Sequence, residues 1–205
     1  MPVYLVTDRR LVDDIVMAVE SALEGGVRLV QLREKDLSAK EILTLAKRLR
    51  AKTAESGARL FINDRVDIAL LSGADGVHLG QNSFSPVDAR KALGKKMLIG
   101  VSAHSIKEAE AAEQQGADFV TFGPVFHTAS KARYGEPVGT GLLKEACGRL
   151  NIPVYAIGGI KRENMKDAVA AGAGGVAVIS SILGSRDIRK SAEQLVKEFE
   201  RLRAV

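Results

Sequence analysis

The chain has 205 residues, a formal net charge of +5, a single cysteine and 46 % apolar residues. This length and composition predict one globular domain spanning residues 1–205. We expect no membrane partner, because no apolar run approaches the roughly 20 residues of a membrane span. We expect no nucleic-acid partner, because no stripe of basic and aromatic residues is present. The lack of a signal-peptide pattern and the single cysteine favour a cytoplasmic location.

A glycine motif recurs along the chain, in the form Gly-(Gly/Ala)-x-x-(Val/Leu). Its copies begin at Gly25, Gly73, Gly116 and Gly172, each after a helical pattern and before a short apolar run. Glycine commonly ends a helix, and a buried strand can follow directly. The repetition therefore predicts a regular array of β/α units.

Eight strand-like runs can be read in the sequence. They are short, rich in Val, Ile and Leu, and not cleanly alternating, as is typical of parallel strands covered on both faces. The runs are Val3–Thr7, Leu29–Leu32, Arg59–Ile62, Gly76–Leu79, Leu98–Ser102, Phe119–Phe122, Val154–Ile157 and Val176–Ile179. Their alternation with helical patterns predicts an α/β fold, a (β/α)8 TIM barrel. An open doubly wound sheet is the alternative, but the first strand lacks a Gly-x-Gly-x-x-Gly turn.

The helical patterns carry recognisable ends. Capping boxes are predicted at Ser38 with Glu41 and at Ser105 with Glu108, and the last helix is predicted over Ile188–Leu202. A long polar loop, residues 123–140, follows the sixth strand, and we expect it to be a mobile lid or binding loop.

Polar residues cluster where the second strand ends. Gln31, Arg33 and Lys35 alternate there, and a strand period of two would place all three on one side. An amide with two cations at the rim of a barrel suits a polyphosphate. The alternative is that Arg33 and Lys35 pair with neighbouring acids.

A second anion site is predicted after strands seven and eight. Gly158 and Gly159 follow the seventh strand, and Ser180 and Ser181 open a short helix after the eighth. Barrels commonly bind phosphate at this position, although the glycines could simply form tight turns.

A magnesium site is predicted where the third strand ends. Asn63 and Asp64 offer an amide and a carboxylate, which beside a polyphosphate would suit Mg²⁺. His78 lies within a strand and is interpreted as a core residue. Ser102 and His104 lack a third member for nucleophilic catalysis.

Eight short segments, taken in order, form a recognisable set along nearly the whole sequence. They are Tyr4–Asp8, Gln31–Lys35, Ile62–Asp64, Gly76–Gln81, Gly100–His104, Gly123–Phe126, Thr128–Lys131 and Ala156–Ile160. Together they resemble the thiamine-phosphate synthase family and its sister group, the TenI-type thiazole tautomerases.

The resemblance implies that a pyrimidine diphosphate and a thiazole phosphate are joined to thiamine phosphate, with release of pyrophosphate through a carbocation. It implies small phosphorylated substrates, an Mg²⁺ cofactor bound by Asp64, and catalytic roles for Arg33, Lys35, Lys131 and Ser102. The implied substrate-binding residues are Gln31, Arg33, Lys35, Asn63, Ser102, Thr128, Ser130, Lys131, Gly159, Ile179 and Ser180. A homo-oligomer is possible.

One position departs from the synthase pattern. Ser83 stands where the synthases usually carry a second Mg²⁺ carboxylate, and its surroundings resemble the tautomerases. Pro124, however, stands where the tautomerases carry a characteristic histidine. The alternatives are therefore a tautomerase using His127 or His104, or a thiamine-pathway binding protein without catalytic activity.

Overall fold

The structure is a computed structural model, and it describes residues 2–128 and 136–204. Within these ranges eight parallel strands close into a barrel in the order of the sequence, each hydrogen-bonded to the next and β8 to β1. The strands are β1 Val3–Val6, β2 Leu29–Leu32, β3 Arg59–Asn63, β4 Gly76–Leu79, β5 Leu98–Ala103, β6 Phe119–Phe122, β7 Val154–Ile157 and β8 Gly175–Val178. The predicted (β/α)8 barrel is confirmed.

Helices follow the strands around the outside of the barrel. They are α1 Ile15–Glu24, α2 Ala39–Glu55, α3 Val66–Ser72, α4 Pro86–Leu93, α5 Ile106–Gln114, α6 Gly139–Arg149, α7 Met165–Ala170, α8 Ser180–Leu183 and α9 Ile188–Arg203. A short 3-10 turn, Arg9–Leu11, follows β1. Of the helices described, none has the length and apolar character needed to cross a membrane.

The recurring glycine motif precedes every second strand, namely β2, β4, β6 and β8. Gly73 illustrates its role, because it ends α3 with a φ of 65° and its N–H bonds the carbonyls of Ala69 and Leu70. A side chain is disfavoured at this left-handed position, so glycine turns the chain from helix into strand.

Two apolar layers hold the barrel together. The outer layer lies between strands and helices, and the inner layer fills the barrel with large side chains, among them Tyr4, Phe61 and Phe119. These rings pack edge to face, with Tyr4 and Phe119 centroids 5.7 Å apart. Gly100 leaves room for them, since a Cβ there would collide with the Phe119 ring. The floor of the barrel is thus closed below the carboxyl ends of the strands.

The two predicted capping boxes differ in outcome. The box of Ser38 and Glu41 is complete, with both reciprocal hydrogen bonds present. At α5 only half forms, because Ser105 accepts from the Glu108 N–H while the Glu108 carboxylate accepts from the backbone N–H of His104. The prediction of a second capping box was therefore wrong in this respect.

The predicted long loop lies between β6 and α6. Its base is closed by a 2.8 Å hydrogen bond from the Val138 N–H to the Pro124 carbonyl. Residues 129–135, which include Ser130 and Lys131, lie outside the described residues. The mobility of this loop stays a prediction.

Candidate active site

Arg9, in the turn after β1, lies close to the two acids that neighbour Arg33 and Lys35 in the sequence. Arg9 lies 2.5 Å from the Asp36 carboxylate and 3.9 Å from that of Glu34. Within residues 2–128 and 136–204, neither Arg33 nor Lys35 forms an ion pair. The alternative, in which Arg33 and Lys35 pair with Glu34 and Asp36, is therefore wrong.

Of the three alternating residues Gln31, Arg33 and Lys35, only Gln31 lies in a strand. Gln31 is buried within β2, but the strand ends at Leu32, so Arg33 and Lys35 belong to the turn that follows. Arg33 is half-buried and Lys35 is exposed. Strand periodicity therefore does not set the direction of Arg33 or Lys35, and their position on the same side as Gln31 stays a prediction.

Glu34 fixes the backbone between the two cations. Glu34 is 7 % exposed, and its carboxylate accepts from the Arg9 N–H at 3.1 Å. The Thr7 hydroxyl accepts from the Arg33 N–H at 2.9 Å. Burial raises the pKa of Glu34, although the Thr7 hydrogen bond acts against that rise. This carboxylate thus ties the end of β2 to the end of β1.

Asp64 closes a small polar cluster after β3. It is the one described non-glycine residue with a positive φ, 60°, and the Asn63 amide donates to its Oδ2 at 2.6 Å. Its Oδ1 accepts from the Gly80 N–H at 3.0 Å and from the Ser83 hydroxyl. Ser83 in turn accepts from the Gly80 N–H at 2.8 Å. Ser83 therefore supports Asp64 by a hydrogen bond.

This cluster can hold a metal ion only weakly by itself. Among the described residues no group of three or more His, Cys, Asp or Glu side chains could hold a metal. Asp64 retains an unused lone pair on Oδ2, since a carboxylate has about four acceptor sites and three are occupied. Mg²⁺ is commonly held by one or two carboxylates together with substrate phosphates. The donors present fit an ion of that kind.

A chain of polar side chains crosses the barrel above the aromatic floor. The Gln31 amide donates to the Tyr4 hydroxyl at 3.1 Å, and that hydroxyl lies 3.3 Å from His78 Nδ1. On the other side of the ring, His78 Nε2 lies 3.0 Å from Ser102 Oγ and 3.3 Å from Thr121 Oγ1. Burial lowers the pKa of His78 to about 3, so the ring is neutral.

Sequence reasoning named Gln31 and Ser102 as site residues but missed two members of this chain of polar side chains. It placed His78 in the core, which is confirmed, but it did not assign Tyr4 or Thr121. Their signal is polar character at inward-facing positions near the carboxyl ends of strands. Ser102 and Thr121, for example, are register partners on β5 and β6.

The loop after β6 packs so closely against Gly158 and Gly159, after β7, that it leaves no room for side chains there. Gly158 and Gly159 have φ values of 95° and 65°, and Cβ atoms there would lie 2.5 Å from Pro124 Cβ and from the His127 carbonyl oxygen respectively. The Phe126 N–H bonds the Gly158 carbonyl at 3.0 Å. This contact brings the chain leading to Thr128 against the end of β7.

The predicted short helix after β8 is present as α8. Ile179 caps it and Ser180 is exposed at its start. Ser180 and Ser181 line a cavity of about 270 Å³ together with Lys161 and Arg162, between the loop after β7 and α9. Two cations and one carboxylate, that of Glu163, therefore line the cavity near the end of β8.

Comparison with known proteins agrees with this arrangement. A family model described as thiamine monophosphate synthase matches residues 3–182. A putative thiamine-phosphate synthase of Geobacter sulfurreducens is 55 % identical over 195 residues, which cover 94 % of this chain and 92 % of that protein. The thiamine-phosphate synthase of Clostridium novyi is 45 % identical over 194 residues, covering 94 % and 95 %.

A solved structure gives the same fold over nearly the whole chain. Thiamine phosphate pyrophosphorylase from Pyrococcus furiosus superimposes with a TM-score of 0.92 at 38 % identity, covering 98 % of this chain and 96 % of that one. Sequence motifs, rim geometry and these relatives lead to one conclusion: the chain belongs to the thiamine monophosphate synthase family.

Proposed function

We propose that this protein is a transferase that couples hydroxymethylpyrimidine diphosphate with a thiazole phosphate to give thiamine phosphate and pyrophosphate. The observation that carries the proposal is the pair of cations Arg33 and Lys35, which form no ion pair within residues 2–128 and 136–204, in a member of this family. Cations that form no ion pair with these residues are available to a diphosphate. A protein acting only on a monophosphate has less need of them.

The diphosphate substrate would bind at the β2 and β3 side of the rim. The guanidinium of Arg33 can bind two diphosphate oxygens at once, and Lys35 adds a mobile point charge. Gln31 and Asn63 would contact the pyrimidine end, where the barrel is more buried. Lys131 would complete the diphosphate site, and its role stays a prediction because it lies outside the described residues.

The thiazole phosphate would bind on the opposite side of the rim. Thr128, Gly159 and Ile179 follow β6, β7 and β8, Ser180 begins α8, and Ser102 lies near the carboxyl end of β5. Backbone N–H groups at such loops can hold a phosphate. Ser130 is assigned to this group as a prediction only.

The chemistry needs no protein nucleophile. The bond between the pyrimidine methylene carbon and the diphosphate oxygen breaks, and both electrons leave with pyrophosphate. The thiazole nitrogen then gives its lone pair to the carbocation and forms the new C–N bond. Arg33, Lys35 and Lys131 would stabilise the charge on the leaving group, and the buried barrel floor would exclude water from the cation.

Asp64 is the residue that would hold Mg²⁺ beside the diphosphate. Mg²⁺, when bound, would neutralise part of the diphosphate charge. Asn63 and Ser83 hydrogen-bond the carboxylate and keep its free lone pair directed. The cytoplasmic location and the homo-oligomeric state stay predictions.

The test is a coupling assay with purified protein, both substrates and Mg²⁺. We expect thiamine phosphate and pyrophosphate to form together. Conversion of a carboxylated thiazole phosphate without coupling would instead identify a tautomerase. Ligand binding without turnover, under conditions in which a control synthase is active, would identify a binding protein.

A further inference from the structure

The polar chain inside the barrel has a direction, because each hydroxyl has one proton to donate and a neutral imidazole has one N–H and one acceptor nitrogen. The His78 ring is 2 % exposed and its hydrogen-bond partners are hydroxyls, so it is placed as a neutral imidazole whose two nitrogens have opposite roles. If Nδ1 accepts from Tyr4, then Nε2 donates to Ser102. If Nδ1 donates to Tyr4, then Nε2 must accept from a hydroxyl.

The groups around Nε2 favour the first direction. Two hydroxyls, Ser102 at 3.0 Å and Thr121 at 3.3 Å, converge on this nitrogen. The lone pair of Nε2 could accept a proton from only one of them, whereas an N–H can be shared between two oxygens. The Gln31 amide, donating to Tyr4, is consistent with the same direction.

We propose that Tyr4 and His78 are positioning residues that fix the polarity of the substrate site: Gln31 presents its carbonyl oxygen as an acceptor, and Ser102 presents its hydroxyl as a donor. Tyr4 occupies one Gln31 N–H, so the amide cannot turn over without losing that bond. His78 donates to Ser102, so the serine proton is free to point away from the ring.

This polarity selects substrates, and the inference rests on the proposed function. An acceptor at Gln31 favours a ring that carries an amino group and disfavours one with a carbonyl oxygen at the same place. Sites built to hydrogen-bond one polarity reject the opposite one, because a buried polar group is left unpaired. Tyr4 and His78 would thus contribute to specificity without touching the substrate.

The direct test is the ¹⁵N NMR spectrum of labelled protein without substrate, with the His78 signals assigned by their loss in His78→Asn. We expect a protonated Nε2 and an unprotonated Nδ1. A protonated Nδ1 would overturn the proposal. This measurement needs no turnover, so it is independent of whether the coupling reaction itself is found.

The second test compares the normal pyrimidine diphosphate with an analogue whose amino group is replaced by a carbonyl oxygen. Tyr4→Phe removes one hydroxyl and lets Gln31 turn over, so we expect the preference for the amino substrate, as a ratio of kcat/KM, to fall about tenfold. Phe61→Leu perturbs the same aromatic layer and should keep the ratio. An unchanged ratio in Tyr4→Phe would contradict the proposal.

The two nitrogens can also be tested separately. Asn at position 78 places a polar group near the former Nδ1 only, and Gln reaches the former Nε2 position. We expect His78→Gln to retain more of the Ser102-dependent kcat, and His78→Asn to retain more of the substrate preference. Equal effects of both variants on both readouts would indicate a packing role and overturn the assignment.

Discussion

The Arg9 guanidinium lies 2.5 Å from the Asp36 carboxylate, across the gap between the loops that follow β1 and β2. Arg9 also lies 3.9 Å from Glu34, so one arginine faces both acids that neighbour Arg33 and Lys35 in the sequence. The consequence is a rim with two cations available to substrate.

Loss of this pairing should weaken diphosphate binding. In Arg9→Gln, Asp36 becomes free to pair with Lys35 or Arg33. Because exposed pairs contribute at most about 1 kcal/mol, we expect KM for the pyrimidine diphosphate to rise about twofold to fivefold with kcat nearly unchanged. Arg149→Gln, which removes two ion pairs of α6, with Glu110 and Glu145, is the matched control. A KM equal to that of the control would contradict this account.

Removing the charge of Arg33 or Lys35 should lower the catalytic efficiency and leave the stability of the fold nearly unchanged. We expect Arg33→Ala and Lys35→Ala each to lower kcat/KM by about 10- to 100-fold, the cost of a lost charge-assisted bond. Arg33→Lys should recover only part, because lysine lacks the planar fork. Melting temperatures should stay close to that of the wild type, since neither side chain has an ion pair in the described ranges. A large loss of stability with unchanged kinetics would refute the assignment.

Ser83→Asp tests the metal site through stability. The change replaces a hydrogen bond to Asp64 with a second negative charge, and we expect a loss of about 1–3 kcal/mol without metal. That corresponds to roughly 2–4 °C in Tm for each kcal/mol. Added Mg²⁺ should restore the lost stability of Ser83→Asp. Asn82→Asp adds the same charge at an exposed neighbour and should gain less from Mg²⁺. Equal recovery in both variants would speak against metal binding at Asp64.

His78 gives a prediction about pH. Burial lowers its pKa to about 3, from 6.5, while Asp64 partly opposes the shift. The folded state therefore binds fewer protons than the unfolded state between these values, so stability is lost as pH falls below about 6.5. Relative to His78→Gln, the wild type should lose up to about 1.4 kcal/mol of unfolding free energy per pH unit. Urea unfolding at pH 7.5, 6 and 5 measures this difference. A difference that stays constant across these pH values would show that His78 is not buried as a neutral ring.

Much of the fold could be predicted because its signals are local. Each strand is an apolar run, and glycine marks the end of the preceding helix, as Gly73 does. The end of β2 at Leu32 was predicted as well, although polar alternation continues in the sequence through Lys35. Pairing with β1 and β3 decides where that strand stops.

The contacts that define the site are mostly not local. Arg9 lies close to Asp36 because β1 and β2 are neighbours in the barrel. From the sequence alone, Arg33 and Lys35 could equally bind a polyphosphate or pair with neighbouring acids. The partners of His78 come from β1, β5 and β6, and closure of the barrel brings them together. The sequence identified the types of residue at the rim, whereas the structure was needed to identify their hydrogen-bond and ion-pair partners.

The most direct measurement is ³¹P NMR of one reaction containing the protein, hydroxymethylpyrimidine diphosphate, thiazole phosphate and Mg²⁺. The account predicts that the diphosphate signals are replaced by pyrophosphate and that thiamine phosphate appears in equal amount. It also predicts that Arg33→Ala slows both signals together. Loss of thiazole phosphate without pyrophosphate, or no change while a control synthase reacts, would contradict it.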